Sequence, residues 1–537
     1  MKLSRRELLT TFLGAPFAMA ACGQSAPPRF PDGEIVGQSV EMGHLLRDRR
    51  LFEVSSDNWR DVDVAIVGGG VAGLTAAWKL SKEGVHDFVL LELERDVGGT
   101  SQSGTGTPVP YPWGAHYLPV PFEENRDLRE LLDEMQIIIE GSVPEQYLCR
   151  EPEERIFYMG RWYDGLYLHA GEGDEDKRQF VLFQQHIDRW VNWRDSKGRR
   201  AFVVPVANCS DEAEATSLDR ISFADWLAQN GLTSERLVWY CDYACRDDYG
   251  LKLEQTSAWA GLFYFCSRVR MSGDESQQFI TFPEGNGRFV HHLAERVRGN
   301  ILRSHAVVTV TPMPDGADVV CIAAGQAHGI RARTVIFASP IFTAPYVIRG
   351  FADTAAFAPN EFQHNAWFVA NLFLSDRPMQ RFARDFPLSW DNVFYDSPSL
   401  GYVTATHQKG IDYGPTTLTY YYPMCHEQNG RTKLFDYTWR ELADVCLSDI
   451  ARAHPDIYDL TTRVDIMRWG HAMISPRPNF IWSGVREKAI QPWRNIHFAH
   501  TDLSGIALFE EAFYHGLRAA SEVITAKTPR RREENGR

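Results

Sequence analysis

The hydrophobic pattern opens on a short apolar stretch, Leu8 to Ala21, preceded by Arg5 and Arg6 and closed by small residues ahead of Cys22. Such a run is too short to span a bilayer as a permanent helix and has the layout of a signal peptide, so residues 1–21 are read as one. A polar, proline-containing stretch, "GQSAPPRFPDGEIVGQSV", follows, and residues 22–60 are read as a linker. The pattern then changes. "VDVAIV" (Val62 to Val67) is nearly continuous in apolar residues, as a parallel strand buried on both faces requires. It runs into "GGGVAGL", then a helical stretch with small residues on its early turns, then "FVLLE" (Phe88 to Glu92), a second buried strand ending in an acid. After Ala21 no apolar run is long enough to cross a membrane.

This strand, helix and strand carry a glycine fingerprint. Gly68, Gly70 and Gly73 occupy the spaced positions of G-x-G-x-x-G. The first permits the tight turn, the second lets a pyrophosphate approach the amides of Val71 and Ala72 at the helix start, and the third lets helix and strand pack closely. Glu92 stands 24 residues beyond Gly68, where a carboxylate can accept hydrogen bonds from an adenosine ribose. Strand, helix, second strand and acid all fall in register, which predicts a dinucleotide-binding α/β unit.

Composition narrows the class. At 537 residues and 44% hydrophobic the chain holds core enough for two or three domains. The formal charge of −14 argues against nucleic acid as a partner and would help draw in a cationic substrate. Nine cysteines over this length do not form a disulfide framework. Cys241 and Cys245, one helical turn apart, have no second Cys or His pair at metal-ligand spacing, so they are read as core thiols and no metal site is expected.

Beyond Glu92, "LELERDVGGTSQSG" brings Leu93, the pair Gly98–Gly99 and Thr100, and here the chain resembles the flavin-containing amine oxidase superfamily. The resemblance continues in pieces. "PYPWGAHYL" is similar to the stretch whose backbone lies beside the isoalloxazine ring, with Gly114, Ala115 and then His116 at the matching positions. "AVVTV" and "RTVIFASPI" resemble the middle FAD segment: Val307 matches the residue whose backbone contacts adenine, and Ala338, Ser339 and Pro340 match the turn that closes over the cofactor. "NIHFAHTDLSGIALFEEAFYHGLRAA" resembles the closing strand and helix. That match puts Asp502 near the ribityl or pyrophosphate oxygens and the helix start at Phe509 and Glu510 against the flavin C2 carbonyl. The resemblance implies FAD as cofactor and a glutathione-reductase-like, Rossmann-type FAD domain with an α+β substrate domain inserted.

Departures from the family pattern carry expectations of their own. His500 replaces a glycine and is expected to point to solvent rather than shield the pyrophosphate. Glu511 replaces another glycine at the start of the last helix, where a carboxylate suits the helix dipole and would disfavour negative charge on reduced flavin. The lysine that holds a water against flavin N5 in many relatives is missing from "HNAWFVANLFLSD", which offers Asn365 and Trp367, so an acceptor other than oxygen is open. "RWGHAMISPRPNF" has Trp469, Gly470, His471 and Ala472 where some relatives attach flavin through cysteine, so FAD is expected to be non-covalent.

Flavin oxidation asks the protein for positioning and desolvation more than acid–base machinery. His116, Tyr117 and Trp469 are therefore the candidate catalytic residues, with Trp469 also placed against the cofactor. Tyr243, Tyr249, Trp259, Phe263, Tyr264 and Tyr420 to Tyr422 are cap aromatics for which core packing is the alternative. The expected division is a discontinuous FAD domain (61–140, 275–345 and 465–528), a substrate cap (141–274 and 346–464) and a disordered tail (529–537).

The leading reading is oxidation of an amine or polyamine C–N bond by hydride transfer to flavin N5. The alternatives are desaturation or isomerisation of a lipid- or carotenoid-like substrate, and a membrane-tethered FAD scaffold or electron relay. The electron acceptor would be oxygen or a membrane or periplasmic carrier. Arg5–Arg6 resembles a twin-arginine signal, with an ordinary secretory signal as the alternative. A folded-cargo route suits a protein whose FAD-binding segments spread from Val62 to Ala520. Met19 to Cys22 resembles a lipobox, so the protein is expected in the periplasm or cell envelope, with membrane contact through a lipid on Cys22 unless cleavage is plain.

Overall fold

The computed structural model describes residues 30–48, 50, 52–271, 273, 277–380, 388–410 and 413–527. The signal peptide, Cys22 and the 529–537 tail fall outside the described residues. No described helix is long and apolar enough to cross a membrane.

Two sheets organise the chain, and the α/β class is as the sequence predicts. The nucleotide sheet has seven strands. Trp59–Val67 lies at its centre, parallel to Phe88–Leu91 on one side and to Gln326–Phe337 on the other. The parallel core is completed by Ile301–Leu302 beyond Phe88–Leu91 and by Ile496–Phe498 beside the end of Gln326–Phe337. Val64, Ala65 and Ile66 are fully buried, which is why this stretch reads as an unbroken apolar run. The helices Val71–Lys82, Gly287–Arg296 and Phe509–Lys527 pack together over one face. Helix Phe509–Lys527 crosses Val71–Lys82 closely at Gly516, where a Cβ would stand 2.4 Å from the Ala72 carbonyl oxygen.

The second sheet has eight strands, in the order Asp32–Val36, Thr461–Ile474, His364–Leu374, Thr416–Pro423, Gly401–Thr404, Asp391–Phe394, Glu154–Tyr158, Arg161–Asp164. A helical layer from Asp174–Asn192, Phe223–Gln229, Glu235–Tyr249 and Ala258–Cys266 completes the cap. These helices share one apolar cluster with the nucleotide sheet, running from Val62, Val67 and Leu91 to Phe183, Trp259 and Phe263. Cys241 and Cys245 are buried free thiols within it.

Two expected boundaries move. The 22–60 linker contains an edge strand of the cap sheet, Asp32–Val36, parallel to Arg463–Met467, and a helix, Val40–Arg47, capped by Ser39. The strand is held by backbone pairing, which a polar composition does not reveal. The last FAD segment does not begin at 465, because Thr461–Ile474 is a strand of the cap sheet throughout.

Candidate active site

A cavity of about 480 Å³ runs between the two sheets. At one end lies the glycine turn. Gly68 has φ +108°, and a Cβ on Gly73 would stand 1.9 Å from the Gly68 carbonyl oxygen, so both positions are closed to other residues. A Cβ on Gly70, in contrast, would meet nothing within 4 Å. Gly70 caps helix Val71–Lys82 without any side-chain hydrogen bond, so the first-turn amides open onto the cavity with the positive end of the helix dipole behind them.

The second turn backs onto the first. The Gly98 amide donates to the Gly69 carbonyl at 2.8 Å, and a Cβ on Gly99 would meet only the Gly70 Cα, at 3.6 Å. Glu92 accepts from the amides of Gly69 (2.6 Å) and Glu94 (2.8 Å), and burial pushes its carboxyl up to about 7. The open cradle at Gly70 and Gly99, with uncapped amides and a carboxylate beside it, fits the pyrophosphate and ribose of a dinucleotide.

Asp502 also lines the cavity and is fully buried. Its carboxylate accepts from the Ile341 amide (2.8 Å) and lies 2.9 Å from His364 Nε2 and 3.0 Å from His500 Nδ1. Burial alone would raise its pKa, but the flanking histidines hold it well below the usual carboxylate range. The expectation for His500 is corrected here: its ring turns inward beside the Asp502 carboxylate and lines the cavity, with Nδ1 accepting from the Asp502 amide at 3.2 Å as a side-chain cap of the turn Thr501–Leu503. Glu511 is also corrected. It faces away from the cavity and accepts from the Val206 amide (2.7 Å) and the Ser504 hydroxyl, so its neighbour Glu510 is the acid at the cavity wall.

The middle of the cavity is built on Gly114 to Tyr117. The Ala115 amide donates to the Thr100 carbonyl (2.9 Å), and a Cβ on Gly114 would meet that same carbonyl oxygen at 2.2 Å. Two cap residues peg this segment: the Tyr421 hydroxyl donates to the Gly114 carbonyl (2.9 Å), and Trp469 Nε1 donates to the Trp113 carbonyl (2.8 Å). The His116 ring sits 4.9 Å from Tyr421, 5.2 Å from Tyr117 and 5.3 Å from Trp390. Burial pushes its pKa down to about 4, so the imidazole is neutral at physiological pH.

Beyond this aromatic chamber the cavity meets Glu154, Asp247, Asp248 and Asp391, with Arg268 as the one lining arginine among the described residues. Glu154 and Asp391 are register partners on adjacent parallel strands, so they stand side by side on one face. Asp247 and Asp248 end the helix Glu235–Tyr249, and Asp248 pairs with Arg268 at 3.4 Å. Burial and neighbouring carboxylates push Glu154 up to about 8 and Asp247 up to about 7, and hold Asp391 well above its ordinary value.

The structure gathers nearly all the sequence-derived site residues onto this one surface. Gly68, Gly70, Val71, Ala72, Glu92, Leu93, Gly98, Gly99, Thr100, Gly114, Ala115, Val307, Ala338, Ser339, Asp502, Phe509 and Glu510 line the cavity, as do His116, Tyr117 and Trp469. Gly73 stays behind the turn as a packing position. The cap aromatics divide. Tyr243, Tyr264 and Tyr421 line the cavity, whereas Tyr249, Trp259 and Phe263 are buried in the core and Tyr420 turns its hydroxyl to Asp449 at 3.0 Å. Trp367 and His471 line it too, whereas Asn365 does not; its amide bonds the Ser475 hydroxyl at 2.9 Å. Sequence reasoning missed Glu154, Asp247, Asp391, Arg268 and Trp390. The available signal was charge inside otherwise apolar, alternating stretches, "EERIFYM" and "WDNVFYD".

Residues 66–135 match the family of NAD(P)-binding Rossmann-like domains. Over 534 residues the chain is 24% identical to the oxidoreductase PigB of a Serratia species, covering 86% of this chain and 75% of PigB. In structure it superimposes on putrescine oxidase bound to putrescine with a TM-score of 0.64, at 18% identity, covering 87% of this chain and 100% of the oxidase. It also matches a fatty acid isomerase of P. acnes that produces CLA, with a TM-score of 0.60, 16% identity and 88% and 99% coverage. The chain is an oxidoreductase of flavoenzyme fold. The cap sheet over the cavity corresponds to the separate substrate domain of that fold.

Proposed function

We propose that this enzyme binds FAD non-covalently in the glycine-lined end of the cavity and oxidises an amine at its C–N bond. The observation that carries the reading is the far end of the cavity, where Glu154, Asp247 and Asp391 stand behind the aromatic chamber of His116, Tyr117, Trp390 and Tyr421. Burial keeps these carboxylates largely protonated in the empty cavity, and an ammonium group beside them would favour their ionised form and be balanced by it. Aromatic faces next to it attract the same cation.

FAD, when bound, supplies the hydride acceptor. The chain's own residues do the rest. Trp469 and Tyr421 hold the Trp113–Gly114 backbone in place by hydrogen bonds, and neutral His116 and Tyr117 exclude water without adding charge beside the reacting carbon. The raised carboxylates suit removal of the ammonium proton, since their basicity is closer to that of an amine than an ordinary carboxylate's is. Trp367 in place of the family lysine leaves the acceptor open between oxygen and a membrane or periplasmic carrier. Export on the Arg5–Arg6 signal, with lipid on Cys22, completes the proposal.

A second reading, isomerisation or desaturation of a lipid-like substrate, draws on the likeness to the fatty acid isomerase. A fatty acid would bring its own carboxylate to the acidic end, which disfavours it. Anaerobic mixing of the yellow holoenzyme with amines and with unsaturated fatty acids separates the two. Bleaching by an amine supports the first reading; a shifted double bond with no net bleaching, or bleaching by a fatty acid that gains a double bond, supports the second.

A further inference from the structure

The N-terminal strand and helix, Asp32 to Arg47, form a strap between the two sheets. Its strand extends the edge of the cap sheet, where Glu34 pairs with Arg463 at 2.6 Å, and Phe30 sets its ring against Trp439 at 5.8 Å. The chain then crosses to the nucleotide side. The Ser39 amide donates to Glu94 Oε1 at 2.9 Å, and the Ser39 hydroxyl accepts from the Met42 amide to start helix Val40–Arg47. That helix lies against the strand Ala306–Met313 and the helix Ala344–Val347.

Two strap residues, Gln38 and Leu46, line the cavity alongside Leu93, Glu94, His305, Val307 and Val347. This is the adenosine end, because Glu92 and the glycine turn adjoin it and the chamber of His116 lies at the other. A chain of contacts links the strap to the turn: Ser39 holds Glu94, the Glu94 amide holds Glu92, and Glu92 holds the Gly69 amide. Met42, Leu45 and Leu46 share one face of the helix and are half-buried, with no residue of the helix fully buried. A helix this short and this lightly packed gains its order from what it closes upon.

We infer that residues 38–46 are a clasp on the adenosine half of FAD, with Leu46 as its apolar contact and the Ser39–Glu94 hydrogen bond as its hinge pin. The inference rests on the reading that FAD occupies the cavity. Terminal segments are poorly ordered unless tied down, and this one is tied at both ends of the crossing. Cofactor retention is therefore coupled to a segment that precedes the glycine turn in sequence and lies outside the fingerprint.

The test uses the full-length holoenzyme. FAD release is followed by the return of flavin fluorescence in wild type, Leu46→Asp and Glu41→Ala, the last being on the exposed side of the helix. Amide hydrogen exchange across 38–47 is measured in the FAD-stripped chain with FAD, with ADP and with FMN added. The clasp predicts release about tenfold faster in Leu46→Asp, an unchanged rate in Glu41→Ala, and slowed exchange with FAD and with ADP but not with FMN. Exchange at 38–47 that FAD leaves unaltered, or unchanged release in Leu46→Asp, overturns the clasp while leaving FAD binding intact. A wild-type chain that takes up no FAD overturns both.

Discussion

Gly70 and Gly73 are three residues apart in one fingerprint, yet the structure assigns them opposite liabilities. At Gly73 an added Cβ stands 1.9 Å from the Gly68 carbonyl oxygen, against 3.4 Å for ordinary contact, so strand turn and helix would have to part by roughly 1.5 Å. The atom in the way is backbone, and overpacking of this kind costs about 3 kcal/mol or more. At Gly70 the added Cβ meets nothing within 4 Å, and its φ of −69° suits any residue. Gly70→Ala should therefore leave the FAD-stripped chain within about 0.5 kcal/mol of wild type. It should weaken FAD binding at least tenfold, about 1.4 kcal/mol, because the methyl group takes the space the pyrophosphate needs in front of the Val71 and Ala72 amides. Gly73→Ala should lower the stability of the stripped chain first and bind FAD poorly as a consequence. Thermal unfolding of stripped protein and FAD titration by flavin fluorescence quenching separate the two. Wild-type FAD affinity in Gly70→Ala would show that the pyrophosphate does not lie there, and an unperturbed unfolding curve for Gly73→Ala would refute the packing argument.

Asp391→Asn and Glu154→Gln should each lower kcat/KM for an amine by about tenfold or more while sparing FAD affinity, since each removes a carboxyl group that can ionise to pair with the bound cation at low effective dielectric. Because burial holds Asp247 at about 7 and Glu154 at about 8, these groups are neutral in acid and become anionic as pH rises. Wild-type KM for the amine should therefore fall between about pH 6 and 9, and a flat profile would contradict the assignment. Glu511 lies outside this effect and reports on stability instead. Burial raises its pKa from 4.5 to about 7, so the folded state keeps a proton that the unfolded state has lost. Its contribution is fully present below 4.5 and is lost as pH rises through 7, so urea unfolding of Glu511→Gln should show a weaker decline over that window than wild type. Trp469→Phe removes the donor to the Trp113 carbonyl, which should cost about 1–3 kcal/mol and shift the visible spectrum of bound flavin. An unchanged spectrum with unchanged stability would mean that this peg does not set the flavin wall.

The cofactor end of the cavity was legible in the sequence because its requirements are local. A tight turn needs Gly68, an approach to amides needs Gly70, and Glu92 ends the next strand, so each residue type reports its own backbone. The substrate end was not, since its chemistry arises from register. Glu154 and Asp391 become a pair only when two distant strands align in parallel. Likewise the period of a strand says that Tyr421 faces away from Tyr420 and Tyr422, but only the fold says which side is the cavity. Asp32–Val36 was read as linker because edge pairing with Arg463–Met467 uses backbone atoms that any polar residue carries. His500 was misplaced because its ring caps the turn Thr501–Leu503 by accepting from the Asp502 amide, a contact that the glycine of the family pattern does not foreshadow.

The most direct test of the central claim is anaerobic. The purified protein is scanned for an oxidised flavin spectrum, mixed with a panel of simple amines, diamines and polyamines, and watched for bleaching before air is admitted. The account predicts a yellow protein bleached by at least one amine, with that bleaching slowed about tenfold or more in Asp391→Asn, and the rate of recolouring in air will tell oxidase from dehydrogenase. A colourless protein that cannot be reconstituted with FAD, or a yellow one that no amine bleaches, would contradict it.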